Sequence, residues 1–86
     1  NAALALVCGD PVIWKPSEKT PLTALATHAV AQRALARFGD APDGLLQVLI
    51  GGREVGETLA ADARVPLVSA TGSTRMGRAV AQSVAA

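Results

Sequence analysis

The sequence predicts an α/β fold, half of a doubly wound parallel sheet, and three observations carry that expectation. Short apolar runs alternate three times with stretches of helical periodicity. Each run stops at a polar or glycine-containing loop that leads straight into a helix start. The repeat is roughly 25 to 30 residues per unit, the length of a strand with its crossover helix, so successive strands are expected to lie parallel with right-handed connections.

Residues 1–8 are almost wholly apolar and rich in helix formers, so they read as the last turns of a buried helix with Gly9 as its C-cap. Residues 12–15 are the first expected strand. Val12 and Ile13 are β-formers, Pro16 stops the strand, and Thr20-Pro21 supplies an N-cap residue followed by the favoured first helical residue. The next helix is expected from residue 21 to about residue 38, with Leu22, Leu25, Ala26, Ala29, Val30 and Ala34 recurring at helical spacing and Gly39 closing it. Ala41-Pro42-Asp43-Gly44 is turn chemistry. Residues 45–50 form the second expected strand, with Gln47 as its only polar residue, a pattern that predicts burial on both faces.

Gly51-Gly52 opens a tight turn into a shorter helix over residues 54–61, where Glu54 and Glu57 suit the positive end of the helix dipole. Residues 65–69 are the third expected strand, with Pro66 near its start. Thr71-Gly72-Ser73-Thr74 then turns the chain into a last helix, with Met76, Val80 and Val84 on one stripe and Arg75, Arg78 and Gln82 on the other face. Three strands with two open edges make a poor free-standing domain, so the expectation is a piece of a larger fold.

Composition narrows the function classes. The chain has 86 residues, one Trp, one Phe and no Tyr, so any core is made by aliphatic packing. A formal net charge of +1 with scattered arginines gives no reason to expect nucleic acid or an anionic membrane as a partner, and disfavours a helix-turn-helix nucleic-acid binder. A single cysteine excludes an internal disulfide and a multi-cysteine metal site, and suits a reducing compartment. The longest apolar run falls far short of a membrane span. The expectation is a soluble, cytoplasmic protein.

The candidate chemistry lies at three successive strand ends, 15–18, 51–54 and 71–74. In open α/β sheets, ligands bind outside the carboxyl ends of the strands. Glycines there let a ligand approach the backbone, N–H groups at helix starts attract an anion, and Ser73 or Thr74 can donate to a phosphate oxygen. Lys15 adds a charge or a ribose hydrogen bond. With one His, one Cys and no carboxylate cluster, a nucleotide fits better than a metal. Plainer readings stand beside these. Gly72-Ser73-Thr74 is also simply a turn with an N-cap, Lys15 a solvated strand end, and Met76 a core residue. Gly51-Gly52 with Gly56 does not satisfy the G-x-G-x-x-G fingerprint. His28 reads as a surface or packing residue and Cys8 as a small hydrophobe, so no nucleophile, base and orienting group can be assembled.

Taken together, Lys15-Pro16-Ser17-Glu18-Lys19-Thr20-Pro21, then Pro42-Asp43-Gly44 with Gly51-Gly52, then Val55-Gly56 and Thr71-Gly72-Ser73-Thr74-Arg75-Met76-Gly77, closely resemble the coenzyme-binding domain of NAD(P)-dependent aldehyde dehydrogenases. The resemblance covers residues 1–86 in the correct order. The first nine residues and the Ala70-Thr71-Gly72 junction look most like the α-aminoadipic semialdehyde (piperideine-6-carboxylate) dehydrogenase branch. The family normally has Phe where Ala70 stands and often Asn where Gln47 stands.

The resemblance implies a three-layer, Rossmann-like parallel sheet, here a βαβαβα fragment forming part of an NAD(P)-binding domain. It implies that Lys15 and Glu18 hold the adenosine ribose hydroxyls and that Ser73, with the start of its helix, meets the pyrophosphate. Gly52 and Gly56 would lie near the adenosine half, Thr71 and Gly72 toward the nicotinamide, and Met76 near the adenine or pyrophosphate. A carboxylate at Glu18 would repel a 2′-phosphate, which favours NAD while leaving NADP possible. The family's chemistry is attack of a cysteine thiolate on an aldehyde, hydride transfer to the nicotinamide, and release of the acid by a glutamate-activated water. By the resemblance both catalytic residues lie downstream of the last helix, the oxyanion-binding asparagine precedes Asn1, and Cys8 has no catalytic role. The 86 residues alone are expected to be inactive. The implied partners are the rest of the parent enzyme, its aldehyde substrate and further copies in a homodimer or homotetramer. The alternative from another class is a noncatalytic α/β module binding a nucleotide or a protein.

Overall fold

A computed structural model describes residues 1–85, in two compact units, the first Asn1–Gly51 and the second from Gly52 onward. Unit 1 runs helix α1 (Ala2–Val7), strand β1 (Val12–Trp14), helix α2 (Pro21–Phe38) and strand β2 (Leu46–Val48). Unit 2 holds helices α3 (Arg53–Ala61) and α4 (Thr74–Ala85), which pack on each other.

Gly9 and Gly39 end their helices as the sequence leads one to expect. After α1, the Gly9 N–H bonds to the Leu6 carbonyl at 3.0 Å and the Asp10 N–H to the Ala5 carbonyl at 2.9 Å, the paired bonds of a Schellman motif. That motif needs a residue with positive φ, and Gly9 has φ 85°. Thr20 holds the N-cap position of α2 and Pro21 follows at its first turn, but the Thr20 hydroxyl makes no capping bond. The Thr20 carbonyl instead accepts the Ala24 N–H at 3.1 Å, and Pro21, lacking an N–H, leaves one fewer donor to satisfy.

β1 and β2 pair in parallel, with Val12 opposite Leu46, Ile13 opposite Gln47 and Trp14 opposite Val48. The helix α2 between them is therefore a crossover connection, as expected for a βαβ unit. Val12, Trp14, Leu46 and Val48 are half-buried, whereas Ile13 and Gln47 are exposed. This alternation corrects the expectation that the second strand is buried on both faces. Helix α2 lies against β2 and α1 against β1, and Leu49 and Ile50 beyond β2 stay exposed.

The inward face of α2 also differs from the expected one. The covered positions are Pro21, Ala24, His28, Ala31 and Leu35, spaced alternately by three and four residues. Ala24 is only 2% exposed, whereas Leu22, Leu25 and Val30 are 79%, 46% and 62% exposed. The helix is apolar on two sides, and periodicity alone does not say which one meets the sheet. The covered side carries Ala24, Ala31 and Leu35 with Pro21 and His28. Gln32 reinforces the contact of α2 with β2, its amide donating to the Leu46 carbonyl at 3.1 Å and lying 3.4 Å from His28 Nε2. His28 Nδ1 is buried with no hydrogen-bond partner among the described residues.

The third expected strand does not form. Residues 65–70 adopt no regular element, and the sheet has two strands. A strand exists only through a partner's backbone, and Pro66 removes one donor from any ladder here. The βαβ half of the expected βαβαβα order is therefore present, while unit 2 contributes two helices. In α4, Met76 and Val80 are half-buried as expected, but Ser83 takes the third covered place and Val84 is 54% exposed.

Asp62 ends α3. Its carboxylate accepts the Arg64 N–H at 2.9 Å and grips the Arg64 guanidinium, with Nε at 3.0 Å from one oxygen and the terminal nitrogen at 2.7 Å from the other. The guanidinium bonds and the Arg64 N–H together hold the Asp62 carboxyl down at about 2, and the same pairing raises Arg64. A carboxyl lowered in the folded state favours folding above its unfolded value near about 4, and that contribution disappears as pH falls through about 2. In a carboxyl NMR titration Asp62 is accordingly expected to move to about 2, and Arg64→Ala to return it toward the ordinary aspartate range.

Gly39 has φ 86°, and an added Cβ would meet nothing within 4 Å, so a side chain there costs backbone strain alone. Gly39→Ala is expected to destabilise the end of α2 by about 1–2 kcal/mol, seen as a lowered thermal midpoint in far-ultraviolet circular dichroism.

Candidate functional site

In unit 1 the parallel ladder sets the loop that carries Lys15 and Glu18. The Leu49 N–H donates to the Trp14 carbonyl at 2.9 Å, so pairing persists to the residue before Lys15. Lys15 is half-buried just past the strand, and Pro16 is buried beneath the turn. Ser17 then shapes the turn twice. Its hydroxyl accepts the Lys19 N–H at 3.2 Å, and its carbonyl accepts the Thr20 N–H at 3.1 Å. Glu18 is thereby held out at the tip, exposed to solvent. The ion pairs among the described residues are Arg53–Glu57 and Asp62–Arg64, so Lys15 and Glu18 both remain available to a ligand.

Pro16, Ser17, Glu18, Pro21, Ile50 and Gly51 line a hollow of about 80 Å³. Small-molecule pockets are commonly about 300–1,000 Å³, so this hollow takes the edge of a ligand and not a whole nucleotide. Lys15 does not line it. Sequence reasoning assigns no role to Ile50 or to the Ser17 turn; the available signal was a serine after proline and the Gly51-Gly52 pair at the neighbouring strand end.

In unit 2, Gly52 occupies the N-cap position of α3, and the Gly56 N–H makes the first bond of that helix to the Gly52 carbonyl at 3.4 Å. Both glycines are half-buried. Thr71, Gly72 and Ser73 are exposed, and Met76 is half-buried in the first turn of α4. The structure brings Gly72, Ser73 and Met76 together. The Ser73 hydroxyl accepts the Met76 N–H at 3.1 Å, and the Ser73 carbonyl accepts the Gly77 N–H at 2.9 Å. Ser73 is thus the cap of α4, and the two readings of this residue are compatible. A hydroxyl that accepts a hydrogen bond keeps its own proton to donate. Among the described residues nothing accepts from the Thr74 and Arg75 N–H groups, so the start of α4 presents two backbone donors beside a serine hydroxyl, with the positive end of the helix dipole behind them. That set of donors suits a phosphate.

Among the described residues no group of three or more His, Cys, Asp or Glu comes together to hold a metal ion. Cys8 is a free, exposed thiol. No helix among the described residues is long and apolar enough to cross a membrane.

The family model described as "Aldehyde dehydrogenase family" matches residues 1–86. The chain is 43% identical over 84 residues to aldehyde dehydrogenase family 7 member B4 of Arabidopsis thaliana, covering 98% of this chain and 16% of that protein. It is 45% identical over 86 residues to 3,6-anhydro-alpha-L-galactose dehydrogenase of Streptomyces coelicolor, covering 99% of this chain and 16% of that one. Identity to alpha-aminoadipic semialdehyde dehydrogenase of Bos taurus is 34% over 84 residues, with 98% and 15% covered. No solved structure gives a significant match. The chain therefore spans about a sixth of the length of these relatives, 16% of two of them and 15% of the third. By that match over its whole length, the chain belongs to the aldehyde dehydrogenase family.

Proposed function

We propose that this chain is the NAD-binding portion of an enzyme that oxidises an aldehyde or semialdehyde to the carboxylic acid with NAD(P)+. The observation that carries the reading is the start of α4, where the Ser73 hydroxyl and the Thr74 and Arg75 N–H groups are grouped as phosphate donors. Membership of the aldehyde dehydrogenase family makes a dinucleotide pyrophosphate the fitting anion.

In this reading Ser73 donates to a pyrophosphate oxygen while its cap bond holds the helix start in place. Lys15 and Glu18 bind ribose hydroxyls, the ammonium as donor and the carboxylate as acceptor, from the turn that Ser17 fixes. Gly52 and Gly56 leave room for the adenosine half, Thr71 and Gly72 lie toward the nicotinamide side, and Met76 lies toward the adenine or pyrophosphate. NAD, when bound, supplies the hydride acceptor. The chain's own residues bind and orient it and supply no nucleophile or base, so the 86 residues by themselves turn over no aldehyde. The remaining partners follow from the same reading. The rest of the enzyme covers exposed Leu22, Leu25 and Val30, the enzyme is a cytoplasmic homodimer or homotetramer, and neither nucleic acid nor membrane takes part.

Calorimetry with NAD tests this directly. Lys15→Ala and Ser73→Ala are each expected to weaken binding by about 1–2 kcal/mol, roughly 5- to 30-fold, since each removes a hydrogen bond to a charged or polar ligand group. Specific binding unaffected by either change would overturn the assignment. Glu18→Gln is expected to raise the affinity for NADP relative to NAD, because it removes a carboxylate that repels a 2′-phosphate. An unchanged preference would remove Glu18 from the ribose site.

A further inference from the structure

The turn over residues 17–20 is bounded by proline at each end and fastened in the middle by one side chain. Pro16 is buried beneath it and Pro21 begins α2, so the rings fix φ on either side. Between them the Ser17 carbonyl accepts the Thr20 N–H at 3.1 Å, and the Ser17 hydroxyl accepts the Lys19 N–H at 3.2 Å. A serine oxygen bonded to the N–H two residues on favours a turn, and here the bond brackets Glu18. The ion pairs among the described residues are Arg53–Glu57 and Asp62–Arg64, so no cation steers the Glu18 carboxylate. Its placement rests on the turn backbone. Ser17 and Glu18 both line the hollow that Ile50 and Gly51 border from the neighbouring strand.

We infer that Ser17 is a positioning residue for coenzyme choice: its hydroxyl bond to the Lys19 N–H keeps the Glu18 carboxylate at the hollow, where that carboxylate separates a ribose 2′-hydroxyl from a 2′-phosphate. This rests on the reading that Glu18 binds the adenosine ribose. The carboxylate accepts a hydrogen bond from the hydroxyl and repels the phosphate. The first effect is lost within an ångström of stretching, and the second falls with separation. A turn that loosens therefore loses discrimination while the charge itself stays in place. Ser17 acts through Glu18 and touches no reacting atom.

The test is fluorescence titration with NADH and NADPH of the full-length polypeptide that carries this chain, as Ser17→Ala, Glu18→Gln and the double variant. Loss of one solvent-exposed hydrogen bond is expected to lower the preference for NADH over NADPH about 2- to 5-fold in Ser17→Ala. In the Glu18→Gln background the same change is expected to leave the preference where Glu18→Gln alone puts it, since no carboxylate is left to position. Ser17→Thr and Ser17→Asn keep an accepting oxygen and are expected to restore the preference. An unchanged preference in Ser17→Ala overturns the inference. An equal loss in both backgrounds overturns it too, and makes Ser17 a direct contact or a general support of the loop. A shift in Glu18→Gln without one in Ser17→Ala removes this inference and leaves the ribose reading. No shift in Glu18→Gln removes the ribose reading and this inference with it.

Discussion

The parallel pairing of residues 12–14 with residues 46–48 is the constraint on which unit 1 depends. Parallel strands cannot be joined by a tight turn, so the chain between them must travel the length of the sheet and return, and α2 makes that journey. The pairing also puts the carboxyl ends of both strands on the same edge. The turn that holds Glu18 leaves from one strand, and Ile50 and Gly51 from the other, and together they line one hollow. In a hairpin these residues would lie at opposite ends of the sheet. The polar groups at this edge are grouped by strand direction before any side chain contributes.

Unit 2 reaches a comparable result by different means. It has no ladder among its described residues, and α3 and α4 are held by packing on each other. The serine cap does the local work. One hydroxyl satisfies the Met76 N–H, fixes where α4 begins, and leaves the Thr74 and Arg75 donors unshared. At the other end of the connection, Asp62 turns the chain out of α3 by holding both the N–H and the guanidinium of Arg64. Both devices use short polar side chains to satisfy backbone groups that helix ends leave open.

Among the described residues the buried apolar ones are Pro16, Ala24 and Ala60, while Leu4, Leu22, Leu67 and Phe38 are each more than two-thirds exposed. Few apolar side chains are covered among the described residues, and large ones face outward. The same shortage explains where sequence reasoning and structure diverge. Leu22, Leu25 and Val30 form an apolar stripe by periodicity, yet the covered side of the helix is the other one, which carries Ala24. Residues 65–69 have a strand's composition but no ladder.

What the sequence determined by itself was local. The caps at Gly9 and Gly39, the stop at Pro16, the helix start at Pro21 and the turn before α4 follow from the dihedral limits and hydrogen-bonding capacity of single residues, and each lies where those limits place it. The chain order of Lys15-Pro16-Ser17-Glu18 and Thr71-Gly72-Ser73-Thr74 likewise contained the family likeness. Tertiary structure decided what depends on a neighbour: which face of α2 is covered, that two strands pair among the described residues, and that the Ser17 turn and Ile50 share a hollow. It also set Met76 over Gly72, which needs the helix direction and the turn in place together. A residue carries its own torsional preferences wherever it stands, but burial and pairing belong to two surfaces at once, and a one-dimensional pattern describes only one of them.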